Sequence, residues 1–308
     1  MKDILKAAMA LKNGYLVAFP TETVYGLGAD ATNQDAVSRI FSIKNRPINH
    51  PLILHLGSIN EIENWAIEIP DYAYKLANKY WPGPMTLILK RRSNVKDFVT
   101  GGQETVGIRI PNHEIALSLL QEFKKIGSGA IVAPSANKFG KVSPTSFEHV
   151  NQELFKDLDS NDLILDGGQC QIGVESSIID CTKSFPKVLR PGAISEEQIT
   201  EIIELDLSSK STDIRVSGSF KSHYAPNAKV LLDQTPAPGD GFIALKNIPT
   251  PQGVIRVGEP LNIEEFAKNL YSNLRRVDEL ALEKVVVIQP QGLGLAVAIR
   301  DRLKKASS

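Results

Sequence analysis

The sequence predicts an α/β protein of two domains, and three observations carry that prediction. The first is length: 308 residues exceed what one ordinary core organises, since single cores stop growing at roughly 250–300 residues. The second is alternation, with short runs of Val, Ile and Leu exchanging along the chain with segments whose apolar residues recur at helical spacing. The third is a break from Leu205 to Ala228, where LDLSSKSTDIRVSGSFKSHYAPNA has no sustained periodicity and Ser, Gly and Pro recur. Such a stretch joins domains or acts as a functional lid. The expected division is residues 1–204, a linker or lid at 205–228, and a C-terminal domain at 229–308.

Each element has a local reason. MKDILKAAMALKNG interrupts its apolar residues with Lys and Asp and reads as an amphipathic helix. GYLVAFP reads as a short buried strand between Gly14 and Pro20, and PTETVYGLG as a polar loop entering a glycine-rich turn. In NQDAVSRIFSIKNRP, Ala36, Val37, Ile40 and Phe41 share a helical face, with Asn33 as N-cap and Pro47 as stop. PLILHLG alternates, placing Leu52, Leu54 and Leu56 opposite Ile53 and His55; TVGIRIP sets Val106, Ile108 and Ile110 against Thr105, Gly107 and Arg109. Both strands direct one polar side chain, His55 and Arg109, toward a shared face.

YWPGPMTLILK supplies a turn and a strand, and GAIVAPSAN a strand entering a polar loop. LILDGG, ESSIID and KVLRPG are further strands, and SEEQITEII is a helix with Ser195 and Gln198 spaced as a capping box. Beyond the linker, KVLLD, GFIALK and GVIRVG are strands. The long helix of NIEEFAKNLYSNLRRVDELALE is capped by Asn262, and KVVVIQP and a helix ending in RDRLKKA close an alternating unit.

Composition excludes some classes of function. Hydrophobic residues at 42% and charged residues at 23% are those of a soluble globular protein. Lys plus Arg and Asp plus Glu are both 35, so no global field steers the chain to nucleic acid or to an anionic membrane. Cys170 and Cys181 lack a CxxC partner and read as buried reduced thiols. With neither a signal peptide nor a long apolar span, a cytoplasmic location is expected. Gly26, Gly28 and Ala31 formally match a dinucleotide-binding G-x-G-x-x-A, but Thr21, Glu22, Thr23 and Tyr25 crowd its first turn. Gly140 and Lys141 are followed by Val142, where a P-loop needs a hydroxyl.

The remaining polar residues point to anions. Arg109 sits in an otherwise apolar strand and needs one, supplied by Glu104, Glu22 or a substrate carboxylate. Lys44 and Arg46 end a helix, where the plain reading is two cations complementing its dipole, but His50 and His55 follow on the way into a strand. Ser135, Asn137, Ser143, Ser176 and Arg190 lie in loops at strand ends, where α/β sheets place ligands. His113 and His149 read as structural. Together the set suits a phosphorylated ligand and a small amino or hydroxy acid, with no arrangement that demands covalent catalysis.

In order, FPTETVYGLGADA, KNRPINHPLILH, WPGPMTLIL, VGIRIPNH, APSAN, VSPT, GVESSIID and LRPGAI resemble the motif series of the YrdC family. SGSFKSHYAP and the C-terminal α/β unit resemble the longer Sua5 type, so the resemblance covers nearly the whole chain. It implies a YrdC-like twisted mixed sheet around a deep cleft, a linker, and a small Rossmann-like Sua5 domain. It also implies a reaction, in which L-threonine, bicarbonate or CO2, and ATP with Mg²⁺ give threonylcarbamoyl-AMP and pyrophosphate. A separate transferase then modifies adenosine 37 of ANN-decoding tRNAs.

Carried over by motif, the threonine site falls on Thr23, His55, Arg109, Ala133 and Ser176. The nucleotide site falls on Arg46, His50, Thr105, Ser135, Ser143 and Arg190, with Lys44 and Asn137 completing a Lys-Arg-Ser-Asn set in which Lys44 and Arg46 are the catalytic cations. His50 stands where relatives often carry Asn. Ser219, His223 and Tyr224 match a linker segment that folds over the cleft. The metal is expected to be held mainly through ATP. Two rivals remain beside this resemblance, an RNA-binding module and a dinucleotide-dependent oxidoreductase; a hydrogenase-maturation carbamoyltransferase would need zinc-finger cysteine pairs that two isolated cysteines cannot supply.

Overall fold

The computed structural model describes residues 2–206, 213–218 and 223–308. The first unit contains α1 (Lys2–Lys12), β1 (Val17–Phe19), β2 (Gly26–Asp30), α2 (Gln34–Lys44), β3 (Ile53–His55), β4 (Ala66–Ile67), α3 (Asp71–Tyr80), β5 (Met85–Arg91) and α4 (Asp97–Thr100). It continues with β6 (Thr105–Arg109), α5 (Glu114–Ile126), β7 (Ile131–Val132), α6 (Phe147–Leu154), β8 (Leu163–Ile164), β9 (Ser177–Asp180), β10 (Lys187–Arg190) and α7 (Glu196–Thr200). The second contains β11 (Lys229–Leu232), β12 (Gly241–Ile243), β13 (Ile255–Gly258), α8 (Ile263–Glu279), β14 (Lys284–Val287) and α9 (Leu295–Ala306). The caps form as the sequence requires. Asn33 accepts from the Ala36 N–H, Asn262 from the Glu265 N–H, and Ser195 with Gln198 closes a reciprocal box.

Strands β1 to β10 form one mixed sheet, ordered β10-β9-β5-β6-β3-β7-β2-β1-β8, with β4 added to β5. β3 and β6 are parallel, with Leu54 opposite Ile108 and His55 opposite Arg109. Because side chains alternate across a strand, one register settles both faces. Leu54 and Ile108 enter the main core with Leu87 and Leu89, while His55 and Arg109 leave it on the other side. On the core face α2 and α3 contribute Ile40, Phe41, Leu76 and Ala77. On the opposite face α1 and α5 pack Leu11, Leu119 and Phe123 against Phe19 and Ile131, and Phe123→Ala would cost roughly 3–5 kcal/mol.

Linker residue Val216 packs on Ile88 and Ile178 at the β5–β9 end of that same face. Its neighbour Arg215 is tied down by Gln103, which accepts from the Arg215 N–H at 2.7 Å and donates to its carbonyl at 3.1 Å. Between this linker cover and the α1–α5 layer lies the cleft. The second unit has an all-parallel sheet, ordered β11-β14-β12-β13, and α8 and α9 bury Phe266, Leu270, Ile299 and Leu303 in its core.

Two local expectations are corrected, and two helices were not foreseen. The glycine-rich turn is β2, a strand antiparallel to β1 and β7. Gly28 is there because a Cβ would stand 2.8 Å from Ile131 Cγ2 and 2.9 Å from Phe19 Cε1, so the glycines serve close strand packing rather than a turn. Helix α7 stops at Thr200, shorter than SEEQITEII suggests. Helices α3 and α5 carry no cap from the Ser, Thr, Asp and Asn set, since Pro70 and His113 occupy their N-caps. Their periodicity, such as Ala116, Leu119, Leu120 and Phe123 in α5, was the available signal.

Candidate active site

The cleft is lined from the first unit by Thr21, Tyr25, Arg46, His55, Arg109, Ala133, Ser135, Glu175, Ser176 and Arg190, and from the linker by Ser217, His223 and Tyr224. Its free volume is about 50 Å³, well below the roughly 300–1,000 Å³ of ligand-sized pockets. The linker accounts for the tightness. Ser217 Oγ accepts from Arg46 Nη2 at 3.2 Å, and the Ser217 carbonyl accepts from Arg190 Nη1 at 3.0 Å.

At one end, Arg109 Nη2 donates to Thr23 Oγ1 at 2.8 Å and lies 2.8 Å from Glu22 Oε2. Glu22 was one of the two plain partners expected for this arginine; Glu104 instead pairs with Arg91. The Glu22 carboxylate is buried and neither of its oxygens accepts a hydrogen bond, so Coulomb attraction alone faces it toward Arg109. The loop shape explains Thr23: Thr21 Oγ1 accepts from the Thr23 and Val24 N–H groups, a local turn that aims the Thr23 hydroxyl at Arg109. His55 shares a hydrogen bond between its Nδ1 and the Ile53 carbonyl at 3.1 Å and stands edge-on to Phe19. Burial, reinforced by Arg109, pushes its pKa down to about 3, so at neutral pH it is an uncharged imidazole.

At the other end, Arg46 and Arg190 are buried guanidiniums with no acidic partner at ion-pair distance among the described residues. Arg46 donates to the Pro51 carbonyl at 3.0 Å, and burial first, with Arg190 nearby, lowers its pKa to about 10. Arg190 donates to the Ser176 carbonyl from Nε and Nη2 at 3.1 and 2.8 Å. His50, beside Arg46, is pushed down to about 4 by burial and by Arg46 and Arg215. Two buried cations that share only neutral acceptors make an anion site.

Lys44 departs from the plain reading. It is not an exposed dipole partner: it is 1% exposed and donates to the carbonyls of Ser135 and Asn137. Burial, then Arg46, lowers its pKa well below the usual lysine range. Asn137 donates to the Lys138 and Lys141 carbonyls, so Lys44 and Asn137 together hold the APSAN loop beside the cleft. Ser143 Oγ donates to Glu175 Oε1 at 2.7 Å, and Ser176 Oγ is 2.8 Å from Thr86 Oγ1. Thr105 faces the neighbouring pocket under Arg215, Val216 and Ser217. Tyr224 takes a left-handed backbone (φ 62°) with its ring 4.1 Å from that of His223. Ser219 lies outside the described residues.

His113 caps α5, and His149 Nδ1 accepts from the Thr145 N–H, so both are structural as expected. Both cysteines are free and buried. Sequence reasoning missed Thr86, Glu175 and Ser217. Glu175 could have been found as the carboxylate preceding Ser176 in GVESSIID; Ser217 had no signal in a stretch without periodicity.

Comparisons with known proteins agree with this fold. Residues 9–192 match the Sua5/YciO/YrdC family model, described as telomere recombination, and residues 194–308 match the model described as threonylcarbamoyl-AMP synthase, C-terminal domain. The threonylcarbamoyl-AMP synthase of Pyrococcus abyssi is 40% identical over 98% of this chain and 93% of its own length. That of Bacillus subtilis is 37% identical over 99% and 93%. The crystal structure of P. abyssi Sua5 complexed with L-threonine superposes with a TM-score of 0.88 at 38% identity, covering 99% of this chain and 94% of that one. A YrdC-type unit and a C-terminal Sua5 unit thus occur in one chain, and the chain belongs to the Sua5/YciO/YrdC family in its two-domain Sua5 form.

Proposed function

We propose that the chain is a threonylcarbamoyl-AMP synthase, condensing L-threonine, bicarbonate or CO2, and ATP into threonylcarbamoyl-AMP and pyrophosphate. The observation that carries the reading is the division of the cleft. Arg109 and His55, side by side on β6 and β3, face one end, and Arg46 and Arg190 converge on a single residue, Ser217, at the other.

In this reading Arg109, with Thr23 steadying it, takes the threonine carboxylate, while neutral His55, Ala133 and Ser176 border the amino acid. The neutral threonine amine bonds to the carbon of CO2 and gives up an N–H proton to water, leaving a carbamate; starting from bicarbonate the same step releases water. A carbamate oxygen then attacks the α-phosphorus of ATP, the bond to the β-phosphate breaks, and pyrophosphate leaves. Arg46 and Arg190 neutralise charge on the phosphates, with Ser135, His223 and Tyr224 completing the nucleotide wall, Ser143 behind it on Glu175, His50 beside Arg46, Thr105 in the adjoining pocket, and Lys44 and Asn137 fixing its loop. No protein nucleophile takes part. Alignment of two bound reactants can supply on the order of 7–11 kcal/mol, provided water is kept out.

Entry of a triphosphate requires Ser217 to leave the two arginines, so the linker acts as a lid. Among the described residues no group of three or more His, Cys, Asp or Glu could hold a metal. Glu175, the carboxylate on the cleft wall, has both oxygens engaged by Ser143, Tyr271 and Arg302. Mg²⁺ would therefore enter on the ATP phosphates. The product is an activated carbamoyl donor for a separate transferase acting on tRNA, and the adenylyl transfer makes the enzyme a nucleotidyltransferase. No helix is long and apolar enough to cross a membrane among the described residues.

The test is pyrophosphate release with threonine, bicarbonate and ATP each omitted in turn, the adenylate being weighed by mass spectrometry. Release that needs all three and yields the threonylcarbamoyl-adenylate mass is expected. Tight nucleotide binding without threonine-dependent release would reject the reading.

A further inference from the structure

The deepest link between the two units is a carboxylate of the cleft wall held by residues of the C-terminal unit. Glu175 immediately precedes Ser176 and lines the cleft. Its Oε2 accepts from Arg302 Nε at 2.7 Å and from the Tyr271 hydroxyl at 2.8 Å, while Oε1 accepts from Ser143 at 2.7 Å. Arg302 is 0% exposed and lies on α9; Tyr271 lies on α8. Arg302 also donates to the Pro191 carbonyl at 3.0 Å, beside Arg190, and its guanidinium sits 5.4 Å from the centre of the Tyr224 ring, which stacks on Tyr271 at 5.6 Å. A carboxylate between the phosphate-directed cations and the domain boundary would repel a polyanion unless another charge offset it. Burial alone would raise the Glu175 pKa, but Arg302 and Arg190 hold it down at about 2, so the charge is present and must be offset.

We propose that Arg302 and Tyr271 are positioning residues for the nucleotide end of the cleft. Through Glu175 they orient the Ser143 hydroxyl and the main chain at Ser176 that aims Arg190. This inference rests on the threonylcarbamoyl-AMP synthase reading and gives the C-terminal unit a role in it: the unit supplies part of the ATP site's support without touching the reacting atoms. Among the described residues the arginine of the threonine end has no such polar link, since Arg109 is held by Glu22 and Thr23 of the first unit, and the second unit's core meets that loop through apolar Val24. Nucleotide and amino acid affinities should therefore respond differently.

The experiment measures binding of a non-hydrolysable ATP analogue and of L-threonine separately, by calorimetry on the full chain, for Tyr271→Phe, Glu175→Gln, Arg302→Met and the double variant Glu175→Gln/Arg302→Met. Tyr271→Phe keeps the ring stack and removes one hydrogen bond; the double variant removes both buried charges together, so it carries the test if Arg302→Met alone does not fold. Expected are about threefold weaker nucleotide binding for Tyr271→Phe and at least tenfold weaker binding for Glu175→Gln, with threonine binding changed less than twofold. The double variant should match Glu175→Gln within twofold, because Arg302 acts through Glu175. Nucleotide binding unchanged in folded variants, equal losses for both ligands, or multiplicative losses in the double variant would each overturn the proposal. Failure of the wild-type chain to bind either ligand would instead overturn the functional reading beneath it.

Discussion

The two ends of the cleft satisfy their arginines in opposite ways. Arg109 has a buried counter-ion, Glu22, whereas Arg46 and Arg190 share a serine and backbone carbonyls. The first arrangement is close to neutral before any ligand arrives, which suits a zwitterion that brings one charge of each sign. The second leaves two positive charges in a low-dielectric wall, which suits a polyanion. The same sheet thus carries two kinds of anion site, and what separates them is whether the nearest carboxylate pairs with the cleft arginine, as Glu22 does with Arg109, or with another cation, as Glu175 does with Arg302.

That contrast can be broken by mutation. Arg46→Ala removes one of two cations that nothing else replaces, and pyrophosphate release should fall by roughly 10²–10³-fold, with the far-ultraviolet circular dichroism and melting temperature close to wild type. Near-normal turnover would remove Arg46 from the phosphate site. At the other end, Glu22→Ala leaves a buried guanidinium without its partner and should destabilise the fold by about 3–5 kcal/mol in urea unfolding. A stability change below 1 kcal/mol would show that Arg109 does not depend on Glu22.

Each end also carries a neutral histidine, His55 at about 3 and His50 at about 4, with His223 on the cleft wall at about 3 and His149 outside it at about 4. Their folded pKa values lie below the unfolded value of 6.5. The stability they contribute is therefore complete above that value and is lost as pH falls through it toward the folded values. Melting temperature should drop on acidification between about pH 6.5 and 4.5, before Glu175, held at about 2, begins to count. A flat profile in that window would mean these rings are not buried neutral. The smallest effect expected is for Ser217→Ala, which frees one Arg46 hydrogen bond and should strengthen nucleotide binding about twofold; weaker binding would make Ser217 a ligand contact rather than a competitor.

Much of this was legible in the chain. Alternation in PLILHLG and TVGIRIP placed His55 and Arg109 on one face because a strand has a side-chain period of two, and parallel register then brought them together. The motif series supplied Arg46, Ala133, Ser135, Ser176 and Arg190, which also line the cleft. Illegible were features fixed by packing across distance. Gly26 and Gly28 look like a turn until Ala133 is seen to crowd the first and Ile131 and Phe19 the second. Lys44 looks like a surface cation until the APSAN loop closes over it. Glu175 and Arg302 are 127 positions apart, and no local pattern joins an acidic residue in one unit to a basic residue in another.

The most direct test of the two-ended cleft is a crossed binding experiment, titrating L-threonine and a non-hydrolysable ATP analogue into Arg109→Ala and Arg46→Ala. The account predicts that Arg109→Ala loses threonine binding by roughly 10-fold or more, the scale of a charged hydrogen bond, and keeps nucleotide binding, while Arg46→Ala does the reverse. Equal loss of both ligands in either variant would contradict it, because the two arginines would then serve one undivided site.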